Sequence, residues 1–222
     1  MTGTRYTQFC ALARAAEIVG ERWTLLIIRE LLLGPQRFGD LAGRLSGISP
    51  ALLTARLGAL MEHGVIRRTS LQPPSNAQVY ELTETGRALQ PPIRELIRWG
   101  GRFLFPTREG ETFEPDWALL ALDAIASRDP TPPCTIGLCV PHGRHTANFM
   151  LKGGPGGTTV SRAELPCGAN VEGRFDVLLR IIAGELPIDT AISQRLIRTE
   201  GSTRTLRKLP SLFDVAGRRG HR

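Results

Sequence analysis

Residues 46–64 read SGISPALLTARLGALMEHG, and this stretch decides the fold of the first half of the chain. Ser49 is a natural helix N-cap, and Pro50 follows at the first helical position, where its missing N–H costs nothing. Leu53, Leu57, Leu60 and Met61 share one face of the predicted helix, and Gly64 stops it. The opposite face carries Ala51, Ala55, Gly58 and Glu62, flanked by Thr54 and Arg56. An outer face so small and so lacking in charge near its start suits a helix that must approach another surface closely.

Working upstream, Arg37 to Leu45 predicts a short helix with Phe38, Leu41, Ala42 and Leu45 at helical spacing. Ser46-Gly47-Ile48 then forms a three-residue turn into the helix above. Before it, a helix over Arg22–Leu33 carries a stripe of Trp23, Leu26, Ile27 and Leu31 and ends at Gly34-Pro35. A small-residue helix over Cys10–Val19 stops at Gly20. Downstream, Val65–Leu71 and Gln78–Leu82 predict two strands of a hairpin, joined through Pro73-Pro74-Ser75-Asn76-Ala77. Thr83 to Gly86 opens a last helix that Pro91-Pro92 kinks or restarts, with Leu89, Ile93, Leu96, Ile97 and Gly100 spaced to pack another helix. Two helices, a helix-turn-helix, a hairpin and a helix make the order of a mainly-α winged helix-turn-helix with a β-hairpin wing over residues 1–105.

Residues 106–115 hold Pro106, Gly110 and Pro115 among alternating charges and are expected to be a linker. An α+β domain is expected over 116–213. It comprises a helix from Asp116 to about Arg128, strands at 135–140, 145–152, 158–164, 169–173 and 196–200, an amphipathic helix over 174–184, and a last helix capped by Ser202. Residues 214–222 are expected to form a disordered tail.

The 222 residues suffice for two compact cores, and 41% hydrophobic content with 22% charge is that of a globular protein. Net charge is +7. Residues 1–105 hold 13 Arg, no Lys and 8 acidic residues. Arginine forks onto phosphates and guanine edges, so this balance permits nucleic acid without proving it. There is no signal-peptide pattern and no bilayer-length apolar run; the run Leu25–Leu33 is interrupted by Arg29 and Glu30. Four cysteines, Cys10, Cys134, Cys139 and Cys167, are too few to staple the chain, so reduced thiols in a cytoplasmic protein are expected. No nucleophile elbow or phosphate-binding glycine loop occurs, and Gly153–Gly157 lacks the Lys-Ser/Thr of such a loop. No enzymatic activity and no cofactor are expected.

Within the first domain, Cys10-Ala11-Leu12-Ala13-Arg14, Ile18 to Ile27, Arg29-Glu30-Leu31, Arg37-Phe38, Ile48-Ser49, Arg56-Leu57, Gly64-Val65-Ile66, Tyr80-Glu81-Leu82-Thr83 with Gly86, and Trp99-Gly100 occur in order. In this combination, residues 8–102 resemble the HxlR-type winged-helix regulators. The resemblance implies a homodimer on roughly palindromic double-stranded DNA, joined through helices around 10–20 and 88–104. It also favours a redox switch at Cys10, since some members sense oxidants through a cysteine at this place; the alternative is a small apolar residue at a dimer core. Arg5 and Arg14 lie near this thiol in sequence. The wing tip lacks the basic residue that usually follows the prolines in such sequences.

Residues 115–213 resemble, more loosely, the sterol-carrier-protein type of fold. Ala169 to Leu179, Ile182-Ala183-Gly184 and Leu196 to Gly201 carry this likeness. It implies a sensor of a small hydrophobic effector, with Phe149, Leu151, Phe175 and Leu179 as the candidate pocket.

For DNA, Ser49 and Thr54 can hydrogen-bond bases or phosphates, and Ala51 and Ala55 can touch a thymine methyl. Arg56 either reaches a phosphate or orients the helix through an ion pair with Glu30. Arg37, Arg67 and Arg68 are candidate backbone clamps, of which Arg67 and Arg68 point to opposite faces of one strand. Ser75 and Asn76 are polar candidates at the wing tip. Cys134, Cys139, His142 and His145 have metal-ligand chemistry, yet cysteines five apart on one strand face opposite sides, so no metal is expected. His63 reads as a helix C-terminal dipole partner. Two rivals remain: a hydrophobic-ligand carrier whose winged helix serves only dimerisation or protein contact, and a thiol sensor with an inert second domain.

Overall fold

A computed structural model describes residues 6–72, 74–106, 108–143, 145–164 and 166–215, with His145 through its backbone alone. Expectations for Arg5, Pro73, the His145 side chain and residues 216–222 lie outside the described residues. The chain divides into two compact units, the first ending at Ile93 and the second beginning at Arg94. The boundary expected from the sequence, at 105/106, follows the helix that this division enters.

The first unit runs α1 (Ala11–Val19), α2 (Thr24–Leu32), α3 (Phe38–Arg44), α4 (Pro50–Glu62), β1 (Ile66–Ser70), β2 (Gln78–Leu82), α5 (Glu84–Arg87) and the start of α6 (Gln90–Gly100). Its core is aliphatic: Ile27, Ile28 and Leu31 from α2, Leu41 and Leu45, then Leu53, Leu57 and Leu60 from α4, closed by Val65, Ile66, Val79 and Leu82. Two apolar assignments are corrected, because Leu26 and Met61 face outward at 40% and 37% exposure. Glu30 takes an inward position instead and is fully buried. Its carboxylate is offset by Arg29 Nη2 at 2.6 Å and Arg44 Nη1 at 3.5 Å, which joins α2 to α3. Removing one member of such a buried group costs about 3–5 kcal/mol.

The hairpin pairs β1 with β2 antiparallel, from Ile66 opposite Leu82 to Ser70 opposite Gln78. Gln36 adds a third, single-residue bridge by exchanging both backbone bonds with Tyr80. Thr83 locks the exit of the wing. Its backbone N–H donates to the Val65 carbonyl, and its hydroxyl donates to the Gly64 carbonyl at 2.6 Å while the hydroxyl oxygen accepts from Gly86 N–H. The chain restarts as α6 at Gln90, with Pro91 and Pro92 in its first turn.

The second unit adds α7 (Trp117–Ile125), β3 (Cys134–His142), β4 (His145–Gly154), β5 (Gly157–Arg162), β6 (Ala169–Gly173), α8 (Phe175–Ile182), α9 (Ile188–Ser193), β7 (Ile197–Gly201) and α10 (Thr203–Leu206). Its five-stranded sheet has the order β5-β4-β3-β6-β7, antiparallel except for the parallel pair β3–β6. This is an α+β region. Ile136, Leu138, Val140, Phe149, Leu151 and Val171 on one sheet face share a core with Leu122 of α7, Leu178, Ile181 and Ile182 of α8, and Leu206. The last turns of α6 join the same unit. Arg94 pairs with Asp123, and Arg98 bonds both Asp214, at 3.1 Å, and the Ala124 carbonyl. Among the described residues, no helix is long and apolar enough to cross a membrane.

Candidate nucleic-acid interface

The N-terminus of α4 is built as its residues dictate. Ser49 Oγ accepts from Leu52 N–H at 3.3 Å, Pro50 occupies the first turn, and Ala51, Thr54 and Ala55 are exposed. Thr54 donates its hydroxyl proton to the Pro50 carbonyl at 2.9 Å. That leaves its oxygen to accept and its methyl to touch, whereas Ser49 keeps a proton to donate. The turn from α3 relies on Gly47, whose φ of 94° favours glycine. A Cβ there would lie 3.6 Å from the ring of Trp23. Trp23 itself has φ 80°, an uncommon conformation for an aromatic residue, at the N-cap of α2.

For Arg56, the ion pair runs to a different acid from Glu30. Its Nη2 donates to Glu21 Oε2 at 2.7 Å, from the segment between α1 and α2, and not to Glu30. Its Nε is buried with no hydrogen-bond partner. Glu21 was therefore the missed residue. Its only signal was an acid standing just before Arg22-Trp23.

The wing resolves its two arginines. Arg67 donates to Glu81 across the hairpin at 2.7 Å, so its charge is matched. Arg68 is exposed and makes no ion pair among the described residues. Arg37 Nη2 reaches Ser75 Oγ at 2.9 Å, tying the start of α3 to the wing tip. Asn76 turns that tip with φ 44°, a conformation that asparagine tolerates better than most residues. Of Arg37, Arg56, Arg67 and Arg68, the two not matched by a carboxylate among the described residues are thus Arg68 and, beside a neutral hydroxyl, Arg37.

Cys10 is the exposed N-cap of α1 and makes no side-chain capping bond. Arg14, expected to lie near it, is bound to Glu17 at 3.2 Å. Two large apolar residues near it in the chain, Phe9 and Leu12, are also exposed. In the second unit, Leu96, Trp99, Phe103, Leu104 and Phe105 are exposed, and Trp99 and Phe103 meet edge to face. His63, at the C-cap of α4, is exposed.

The four residues chosen as an effector pocket separate into two kinds. Phe149 and Leu151 are sealed in the core, while Phe175 and Leu179 are half-buried at its edge. Cys134 packs against the core and Cys139 lies across from Asn148 and Glu172. Burial first, and then the carboxylate of Glu172, pushes the Cys139 thiol up from its ordinary range. Among the described residues, no group of three His, Cys, Asp or Glu side chains could hold a metal ion.

Residues 18–108 match the HxlR-like helix-turn-helix family. An HTH-type transcriptional regulator of Mycobacterium tuberculosis (strain ATCC 25618 / H37Rv) is 45% identical over 100 residues, 45% of this chain and 62% of the relative. The chain thus spans 62% of the length of these mycobacterial relatives. The HTH-type transcriptional regulator YodB of Bacillus subtilis (strain 168) is 35% identical over 92 residues, 41% of this chain and 82% of YodB. YvaP of the same organism, also named an HTH-type transcriptional regulator, is 33% identical over 94 residues, 42% of this chain and 87% of YvaP. Among solved structures, the reduced form of YodB has 32% identity and a TM-score of 0.39, covering 46% of this chain and all of that one.

Proposed function

The chain belongs to the HxlR-like helix-turn-helix transcriptional regulators, and from that premise we propose that it binds a roughly palindromic operator as a cytoplasmic homodimer. The observation that carries this reading is the outer face of α4. At a capped helix N-terminus it offers exposed Ala51, Thr54 and Ala55 and no charge in the first turn. Such a face fits into a major groove, where methyl groups meet thymine and the hydroxyls of Ser49 and Thr54 meet base edges or phosphate. Arg68 and Arg37 then hold the backbone, Ser75 and Asn76 lie at the wing, and Arg56 holds α4 in place through Glu21. Arg67, matched by Glu81, contributes less.

Residues 1–105 carry DNA binding and dimerisation in this reading, 106–115 connect, and 116–213 form a sterol-carrier-like effector domain. Exposed Phe9 and Leu12, and separately Leu96, Trp99 and Phe103, offer apolar surface to a second copy. An apolar effector acts by binding the DNA-competent and DNA-incompetent states unequally.

Selection of bound fragments from randomised and genomic DNA at two salt concentrations tests the core of this proposal. Recovery of a palindromic site that survives competitor DNA is expected. Weak binding that vanishes with salt would overturn it, leaving a ligand carrier as the better reading.

Thiol control is a second reading, favoured by the exposure of Cys10 at the start of α1. Treatment with a thiol oxidant is expected to weaken operator binding. Cys10→Ser is expected to abolish that response and to keep basal affinity.

A further inference from the structure

The connector ahead of α7 ends in an unusual way. Every described residue from 101 to 112 is exposed, and Phe113 is the first to turn inward. Its ring lies parallel to that of Phe175 at the start of α8, with centroids 4.8 Å apart and planes 16° apart. Trp117 and His142 each present an edge-type contact to the same ring, at 6.4 Å. Phe113 therefore stands inside a box of three rings contributed by α7, the end of β3 and α8. The segment that delivers it forms neither helix nor strand between residues 108 and 115.

A flat ring stacked on one face and bordered by two others is the arrangement that receives a planar aromatic molecule. Two carboxylates beside the box are matched. Asp116, beside Trp117, pairs with Arg162 at 2.9 Å, and Asp176, beside Phe175, pairs with Arg174 at 3.0 Å. With these two pairs closed on themselves, the recognition chemistry left at the box is that of its rings, which favours a planar aromatic partner.

We propose that the box of Phe175, Trp117 and His142 is a binding site for a planar aromatic ligand, and that Phe113 is its built-in occupant. The ligand enters by displacing Phe113, which detaches the end of the connector from the domain. This rests on the reading that the second unit holds an effector. It moves the site from the sealed Phe149 and Leu151 to the edge of the domain, where Phe175 is half-buried.

An internal competitor lowers apparent affinity by the fraction of time the site is free, so removing it must tighten binding. With the full chain and 2-naphthol as probe, calorimetric titration is expected to show Phe113→Ala binding about tenfold tighter than the wild-type chain, given the usual strength of an aromatic pair. Adding Phe175→Ala to that variant is expected to abolish the gain. A saturated bicyclic alcohol of the same size is expected to gain nothing, because it has no flat face. Should Phe113→Ala fail to fold, Phe113→Leu keeps the apolar bulk, loses the stack and is expected to gain in the same direction. Equal affinity in the folded Phe113 variants and the wild-type chain would overturn the proposal, as would a gain that survives loss of Phe175. Operator affinity measured with and without 2-naphthol separates the two readings. Tighter probe binding with unchanged DNA affinity upholds the aromatic site and removes only its control of DNA.

Discussion

Arg56 of α4 and Glu21 of the segment between α1 and α2 form a 2.7 Å ion pair that ties the proposed recognition helix to the link ahead of α2. Both side chains remain partly in solvent, 25% and 49% exposed, so the pair itself contributes less than about 1 kcal/mol. Its consequence is geometric. If Arg56 acts through Glu21, then Glu21→Gln loosens α4 and lowers operator affinity by about two- to fivefold, the range such a pair allows. The slope of log affinity against log salt stays unchanged, since no phosphate contact is lost. A shallower slope in Arg56→Ala would instead place this guanidinium on the DNA.

The wing yields the complementary case. Arg68 has no ion-pair partner among the described residues, whereas Arg67 is bound to Glu81 at 2.7 Å. Arg68→Ala is expected to weaken binding to all sequences alike and to reduce the salt slope by about one. Arg67→Ala is expected to leave that slope as it is. Binding isotherms at four salt concentrations decide between them, and equal slopes for both variants would remove Arg68 from the contact surface.

Much of this first unit was legible in the sequence because its signals are local. Ser49-Pro50 and Gly64 bound α4, and Pro91-Pro92 marks where the chain restarts as α6. What escaped depends on contacts made at long range. Nothing in the periodicity of α2 turns Leu26 out and Glu30 in; that exchange follows from the arginines of two helices converging on one carboxylate. The parallel pairing of Gly137–Cys139 with Asn170–Glu172 joins strands separated in the chain by β4 and β5, and no turn encodes it. The helix α9 went unread because six residues starting after Pro187 show too little period to separate them from a loop. Phe113 was hidden as the one aromatic in a polar connector.

Two glycines of the first unit separate close approach from mere flexibility. A Cβ on Gly86 would stand 2.1 Å from the Val65 carbonyl oxygen and 2.9 Å from a Leu82 methyl, while one on Gly58 would meet nothing within 4 Å. Gly86→Ala must push α5 off the hairpin, at a cost of about 2–4 kcal/mol. Gly58→Ala fills an open position inside a helix and is expected to stabilise by about 0.5–1 kcal/mol. Urea unfolding of the two variants measures both. Equal midpoints would mean that α5 yields at little cost, contrary to the contact with Val65.

Cys139 provides a test by pH. It lies between Asn148 and Glu172 in the sheet, with Cys167 and Glu200 also raising its pKa, although burial is the largest cause. In the unfolded chain the thiol ionises in its ordinary range, while in the folded protein it holds its proton to higher pH. As pH rises through that range the unfolded state binds fewer protons than the native state, so stability falls; below it, both states are protonated and no difference exists. Iodoacetamide labelling followed by mass mapping is expected to modify exposed Cys10 before Cys139 at every pH tested. Glu172→Gln is expected to bring the Cys139 labelling profile to lower pH, while burial keeps it above that of a free thiol. A Cys139 profile indifferent to Glu172 would remove the carboxylate from the account and leave burial alone to hold the proton.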